Sequence, residues 1–334
     1  MFKLRSLVTA LALVGSISVA SALETLPTVA PAPADNPTTQ EKVELGKLLY
    51  HDPRLSSTGT VSCSSCHNTM LGGEDNRANS MGVHGQTGGR SAPTVWNSAF
   101  NTVQFWDGRA PSLEAQAAGP VTSPIEMGMK SWDDVIARLK TIEGYQVAFE
   151  EAFGKNSITK DNATKAIASY ERTLITPHSP YDKYAAGDTS ALTAQQVRGL
   201  HKVQELGCTS CHSGPAFNGP GVFQPFPIHS NPVFAAKYHF KDDKGLAEVT
   251  KKADDEHLWK VPTLRNIALT APYFHNGSVK TLDEAVVVMA KTQLDKDLST
   301  TEVADIVAFL NALTGQFPKQ SMPVLPTTPG RTFN

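Results

Sequence analysis

The sequence predicts a mainly α-helical protein of two domains with long loops, and three observations carry that prediction. Helix start signals recur from Thr39 to Ser299, while no series of alternating apolar and polar residues marks a strand-rich core. The run Cys63-Ser64-Ser65-Cys66-His67 returns as Cys208-Thr209-Ser210-Cys211-His212, almost a domain length further on. A chain of 334 residues is long enough for two cores of ordinary size.

A Cys-x-x-Cys-His run is the attachment pattern of a c-type haem: each thiol can form a thioether to a haem vinyl, and the adjacent imidazole can ligate the iron. The two runs use all four cysteines, so no thiol remains for a further disulfide, a zinc site or a nucleophile. Two disulfides or an all-thiolate zinc site are the alternatives. Zinc ribbons need their pairs much closer together, and neither alternative requires the histidine that follows each second cysteine. Two covalent haems are expected, one per domain.

The net charge of −2 provides no basic field for nucleic acid or for an anionic membrane surface, and 7% aromatic residues are too few for a base-stacking platform. Residues 1–22 read as a secretory signal peptide, with Lys3 and Arg5, an apolar run from Leu7 to Val19, and small residues Ala20-Ser21-Ala22 before the cleavage point. That run falls short of the ~20 residues a spanning helix needs, and no second one follows, so no membrane span is expected after cleavage. Haem c is attached outside the bacterial cytoplasm, which makes the periplasm the expected address.

Residues 23–38, rich in Pro, Ala and Thr, read as an extended lead-in. From Thr39 a helix carries Val43, Leu45, Leu48 and Leu49 on one face and runs into a polar turn, His51 to Gly59, before the first haem run. Ser131 caps a helix with Val135, Ile136, Leu139 and Ile142 that is interrupted at Gly144 and ends at Gly154; another spans Asn162 to Leu174. Thr176-Pro177-His178-Ser179-Pro180 is a linker dividing an N-terminal domain, 23–180, from a C-terminal one, 181–315. A helix capped by Thr193, with Val197, Leu200 and Val203 inward, precedes the second haem run as the first helix precedes the first, a sign of internal duplication. The Gly- and Pro-rich stretch from Gly214 to Pro227 reads as loop wrapped over a cofactor. Capping boxes Thr281-x-x-Glu284 and Ser299-x-x-Glu302 open two further helices, the second ending at Gly315, and the four prolines of 316–334 make an extended tail.

Around the haem runs stand, in order, Ala92-Pro93-Thr94, Phe105-Trp106-Asp107-Gly108-Arg109-Ala110, Leu113-Glu114-Ala115-Gln116, Pro124-Ile125-Glu126-Met127-Gly128, Lys260-Val261-Pro262-Thr263-Leu264-Arg265-Asn266 and Thr270-Ala271-Pro272-Tyr273-Phe274-His275-Asn276-Gly277. With them the mature chain resembles the bacterial di-haem cytochrome c peroxidases, the family that also contains MauG, which matures tryptophan tryptophylquinone. The resemblance implies two cytochrome c-like haem domains and an enzyme that reduces hydrogen peroxide to water. It also implies electrons from a small monohaem cytochrome c or a cupredoxin, and a homodimer. In such a protein the N-terminal haem meets peroxide and the C-terminal haem is a high-potential electron store.

Carried over residue by residue, the resemblance makes His67 and His212 the proximal ligands and Met289 the second axial ligand of the C-terminal iron. Periodicity alone also allows Met289 to be core, within Ala285-Val286-Val287-Val288-Met289. MauG carries a Tyr ligand at that position, so Met289 weighs against a MauG-like protein-modifying oxidase. His84, by itself an ordinary loop histidine, matches a removable distal ligand, and Gly82 and Gly85 around it can act as a hinge. Glu126, otherwise readable as a surface carboxylate, matches the acid–base group that moves a proton between the peroxide oxygens, and Gln116 the amide that orients the pocket. Trp106, readable as a core residue, matches the ring between the two haems. Phe105 and Arg109 read as packing and ion-pairing residues, and His275 as pocket or interface structure.

A calcium ion between the domains is also implied, held by backbone oxygens of Thr270 and Pro272. Ser91 stands where the family has Asn, so either Asn97 substitutes, Ser91 contributes through its carbonyl or a water, or the site is weaker. The rival reading is a non-enzymatic di-haem electron carrier, which would have no use for Glu126 or Gln116.

Overall fold

The computed structural model describes residues 23–328. The signal peptide read in residues 1–22 and the last residues of the tail lie outside the described residues. The first half of the chain forms α1 (Gln40–His51), the single turn α2 (Cys63–Cys66), α3 (Leu113–Thr122), α4 (Trp132–Lys140), α5 (Glu143–Phe153) and α6 (Lys160–Glu171). The second forms α7 (Pro180–Ala185), α8 (Ala194–Glu205), α9 (Pro232–Tyr238), α10 (Ala247–Thr250), α11 (Leu282–Leu294) and α12 (Thr300–Asn311). The strands β1 (Phe223–Pro225) and β2 (Leu258–Lys260) pair antiparallel, Gln224 opposite Trp259, and make a two-stranded sheet. The fold is mainly helical, as the capping signals predict.

Most helices start where a side-chain cap satisfies an otherwise unpaired amide. Thr39 accepts from the Lys42 amide and Ser131 from that of Asp134, and Thr193 and Ser299 form full capping boxes with Gln196 and Glu302. Three expectations are corrected. The break between α4 and α5 falls at Thr141–Ile142, and Gly144 lies inside α5, where a Cβ would come 2.7 Å from Pro326 of the tail. The next helix is Lys160–Glu171, capped by Thr159, earlier at both ends than expected. Thr281 caps α11, but no capping box is completed, because the Glu284 carboxylate accepts instead from Lys237 Nζ (2.6 Å) and Tyr238 Oη (2.5 Å).

Two cores result. Leu45, Leu49, Trp96, Leu139, Tyr145 and Phe149 are buried in the first half; Tyr181, Leu200, Phe217, Phe309 and Leu313 in the second. A third cluster, around Phe226, Tyr238, Trp259 and Val279, packs against Trp106 and Met289. In both main cores a glycine lets two helices touch. A Cβ on Gly46 of α1 would lie 1.9 Å from the Ala166 carbonyl oxygen of α6, and one on Gly199 of α8 would lie 1.9 Å from that of Asp305 of α12.

The duplication hinted at by the helices extends through the loops. Asn97 and Asn266 both adopt the left-handed conformation that asparagine tolerates (φ 64° and 59°) and open matching single turns. Their side-chain amides both donate to the buried hydroxyl of Thr176, each at 2.9 Å. The turns 105–108 and 274–277 also match, with Phe105 and Phe274 at φ 68° and 69°, and they are closed by Gln104 N–H to Ala110 O (2.8 Å) and Tyr273 N–H to Val279 O (2.7 Å). At the junction the halves exchange bonds, the Ser91 amide donating to His275 O (2.7 Å) and the Lys260 amide to Trp106 O (3.0 Å).

Both ends of the chain cross over. Leu23 packs on the second core and the Leu26 amide donates to Asp182 Oδ1 (2.9 Å). The tail returns to the first half, where Phe317 meets Trp96 edge-on at 4.8 Å, Gln320 accepts from Tyr170 Oη, and Pro326 O accepts from Arg54 (2.9 Å).

Candidate active site

The first haem run opens at Ser62, whose amide donates to Ser65 Oγ (3.0 Å) and so winds Cys63–Cys66 into one helical turn with His67 directly after it. His67 Nδ1–H donates to the Pro93 carbonyl (2.9 Å), which leaves the Nε2 lone pair free for a metal. Burial pushes the imidazole below its ordinary pKa and keeps it neutral, the form that ligates. Burial also raises the Cys63 thiol to about 12 and the Cys66 thiol to about 11, so neither is poised as a thiolate nucleophile. These residues line a cavity together with Trp106, Gln116 and Glu126.

The second run repeats the arrangement. Gly207 in the left-handed conformation turns the chain into Cys208–Ser210, and the Nδ1 of buried His212 lies 3.1 Å from Pro262 O and 3.2 Å from Phe217 O. Cys208, His212 and Met289 line a second cavity, and an adjoining one takes in Cys211, Lys260 and His275. In each half a thiol pair, a neutral imidazole with a free Nε2 and a large apolar cavity stand together, which is the donor set a covalent haem requires. Trp106 borders both large cavities, its ring fixed by Nε1–H donating to Ser91 O (2.9 Å).

The cavities differ in what faces the histidine. Counted from the caps Ser112 and Thr281, Pro120 of α3 and Met289 of α11 hold the same helical position, and each lines its own cavity. The second half offers a thioether there, and the first offers a residue with no donor at all. Around Pro120 the first cavity instead collects polar groups. Gln116 lies one turn back on α3, and Glu126 follows in a turn where burial raises its carboxyl pKa, against a hydrogen bond to Ser123 and the charge of Arg109.

His84 is exposed, at φ 58°, and is not among the residues lining this cavity, so ligation by it requires its loop to move. Thr270 and Pro272 border the second cavity. The Asn97 amide is engaged at both ends by Thr176, its nitrogen donating to the hydroxyl and its oxygen accepting from the backbone N–H, each at 2.9 Å. The Ser91 carbonyl already accepts from Trp106, and no group of three or more His, Cys, Asp or Glu side chains suited to a metal occurs among the described residues. Sequence reasoning missed Glu171, buried on the wall of the first cavity, where burial raises its carboxyl to about 8. The signal was there, since Glu171 falls one turn after the core residue Ile167 on the inward side of α6. It also missed Glu74, buried beside Asn76, whose amide donates to both Glu74 and Ala271 O (3.0 Å).

Fold and sites together define a protein that carries two c-type haems on duplicated helical halves meeting at one tryptophan. The family model described as di-haem cytochrome c peroxidase matches residues 40–190. The chain is 46% identical to cytochrome c peroxidase Ccp of Escherichia coli (strain K12), over 86% of this chain and 61% of that one; it thus spans less than two thirds of that relative. It is 42% identical to cytochrome c551 peroxidase of Nitrosomonas europaea, over 89% of this chain and 87% of the other. Among solved structures, a MauG-like protein associated with microbial copper homeostasis superposes with a TM-score of 0.77 at 29% identity, over 87% of this chain and 94% of that one. The chain belongs to the di-haem cytochrome c peroxidase family.

Proposed function

We propose that this protein reduces hydrogen peroxide to two waters, taking two protons and, one at a time, two electrons from a small c-type cytochrome or cupredoxin. The observation that carries the reading is the pairing of Pro120 with Met289, in which one repeat closes its iron site with a thioether and the other leaves the equivalent place without a donor and puts Glu126 and Gln116 beside it. Bound haem supplies the redox chemistry at both sites. The chain's own residues do the rest. His67 and His212 hold the irons, and Met289 closes the second. Glu126, as carboxylate, accepts a proton from one peroxide oxygen and delivers it to the other, which leaves as water, while Gln116 orients the substrate. Trp106 spans the space between the sites.

In this reading residues 23–180 and 181–315 are the peroxide-reducing and electron-storing domains, a division consistent with the two separate cores. Export by a signal peptide puts the protein in the periplasm, and among the described residues no helix is long and apolar enough to cross a membrane. A homodimer is the expected assembly. Calcium would bind the Thr270 and Pro272 carbonyls, near the buried Glu74 carboxylate, whose partner Asn76 also donates to Ala271 O. Steady-state oxidation of a reduced monohaem cytochrome c by peroxide tests the function: turnover is expected, and a pure electron carrier would show none.

A further inference from the structure

Lys260 closes β2 at the junction of the halves, and its side chain lines both cavities of the second haem site beside His212 and Met289. Among the described residues its ammonium has no ion-pair or hydrogen-bond partner. Burial, with no neighbouring charge opposing it, pushes its pKa down to about 8. A cation so placed is costly unless an anion meets it, and the described residues supply none.

The first half handles its cations differently. Through the crossed amide bonds at the junction, the counterpart of Lys260 is the uncharged Ser91. Arg90 and Arg109, which line the first cavity, are met by carboxylates, Arg90 by Asp107 and Asp243 and Arg109 by Asp107. Among the described residues that line the two cavities, the unpaired charge belongs to the second site. The cofactor that fits there brings anions of its own, because a haem carries two propionate carboxylates on the edge away from its thioether-forming vinyls.

We propose that Lys260 Nζ is the ion-pair partner of a propionate of the second haem, and acts as a positioning residue that raises the potential of that haem above the first. The inference rests on the reading of Cys208–His212 as a haem site. An unpaired propionate stabilises ferric over ferrous iron, and an ammonium on that carboxylate cancels the preference. The effect adds to that of the Met289 thioether and acts on the same iron.

Optical redox titration of the holoprotein, after a count of covalent haems, tests it with Lys260→Gln, Lys260→Arg and Met289→Leu. Lys260→Gln should keep two haems, lower the upper midpoint by about 59 mV or more, a tenfold change for a one-electron couple, and leave the lower midpoint nearly in place. Lys260→Arg, which keeps the charge, should stay close to wild type. Because glutamine could unsettle β2, Lys260→Met, which retains the apolar stem, carries the same expectation. An unchanged upper midpoint, an equal shift of both couples, or an arginine variant as low as the glutamine one overturns the proposal. Failure of Met289→Leu to lower the upper midpoint would instead remove Met289 as a ligand of that iron, and a count of one covalent haem would overturn the reading of Cys208–His212; both are separate results.

Discussion

The Val83 amide donates to the carbonyl of Glu126 at 2.8 Å, so the loop that carries His84 is tied to the turn that carries the proposed acid–base group. The tie is tight, since a Cβ on Gly82 would come 2.1 Å from Ile125 O, whereas one on Gly85, at φ 74°, would meet nothing within 4 Å. A movement of His84 toward the first iron, if it occurs as the proposed function requires, has more room at Gly85 than at Gly82. Taking the open loop from about 1% to 99% populated on reduction of the second haem requires roughly 5.5 kcal/mol of coupling. His84→Gly should give a high-spin first haem in the fully oxidised protein and activity without prior reduction. A low-spin spectrum with an activation lag would mean that another residue caps the iron.

Glu126→Gln should retain both haems and lose turnover by ~10²-fold or more, the usual scale for a positioned acid–base group. The carboxylate must be deprotonated to accept the peroxide proton, and burial raises its pKa. Activity should therefore fall on the acid side at a pH above the ordinary carboxylate range, and the glutamine variant should lack that limb. A pH–rate profile of kcat/KM checks both points.

Met289→Leu preserves bulk and removes the thioether. Two covalent haems should remain, while the upper reduction midpoint drops because the ferrous form has lost its soft ligand. Unchanged midpoints would reduce Met289 to a packing residue.

Gly46→Ala and Gly199→Ala each push a methyl into a carbonyl oxygen of the facing helix. Each should destabilise its own half by about 1–3 kcal/mol, the usual range for an overpacked contact. Chemical denaturation monitored at the haem bands would show whether the halves report separately.

Much of this was legible from local signals. Thr39, Ser131, Thr193 and Ser299 mark helix starts because a cap is a contact between near neighbours in sequence, and both haem runs are contiguous for the same reason. Gly144 misled because glycine inside a pattern suggests a break, whereas here it makes room for Pro326, a residue from the far end of the chain. Glu284 misled in the same way, its carboxylate drawn off by Lys237 and Tyr238. The match of Pro120 with Met289 was hidden because the two helices share geometry and almost no side chains, so only superposed caps reveal it.

The exchanged ends have a consequence for ancestry. Leu26 completes the half it does not belong to, and Phe317, Gln320 and Pro326 complete the other. A tandem copy of a one-haem module could once have been divided back into two working units. After the ends changed places, a cut near Pro180 would yield two fragments, each lacking a piece that only its sibling carries. The two sites therefore depend on one uninterrupted chain.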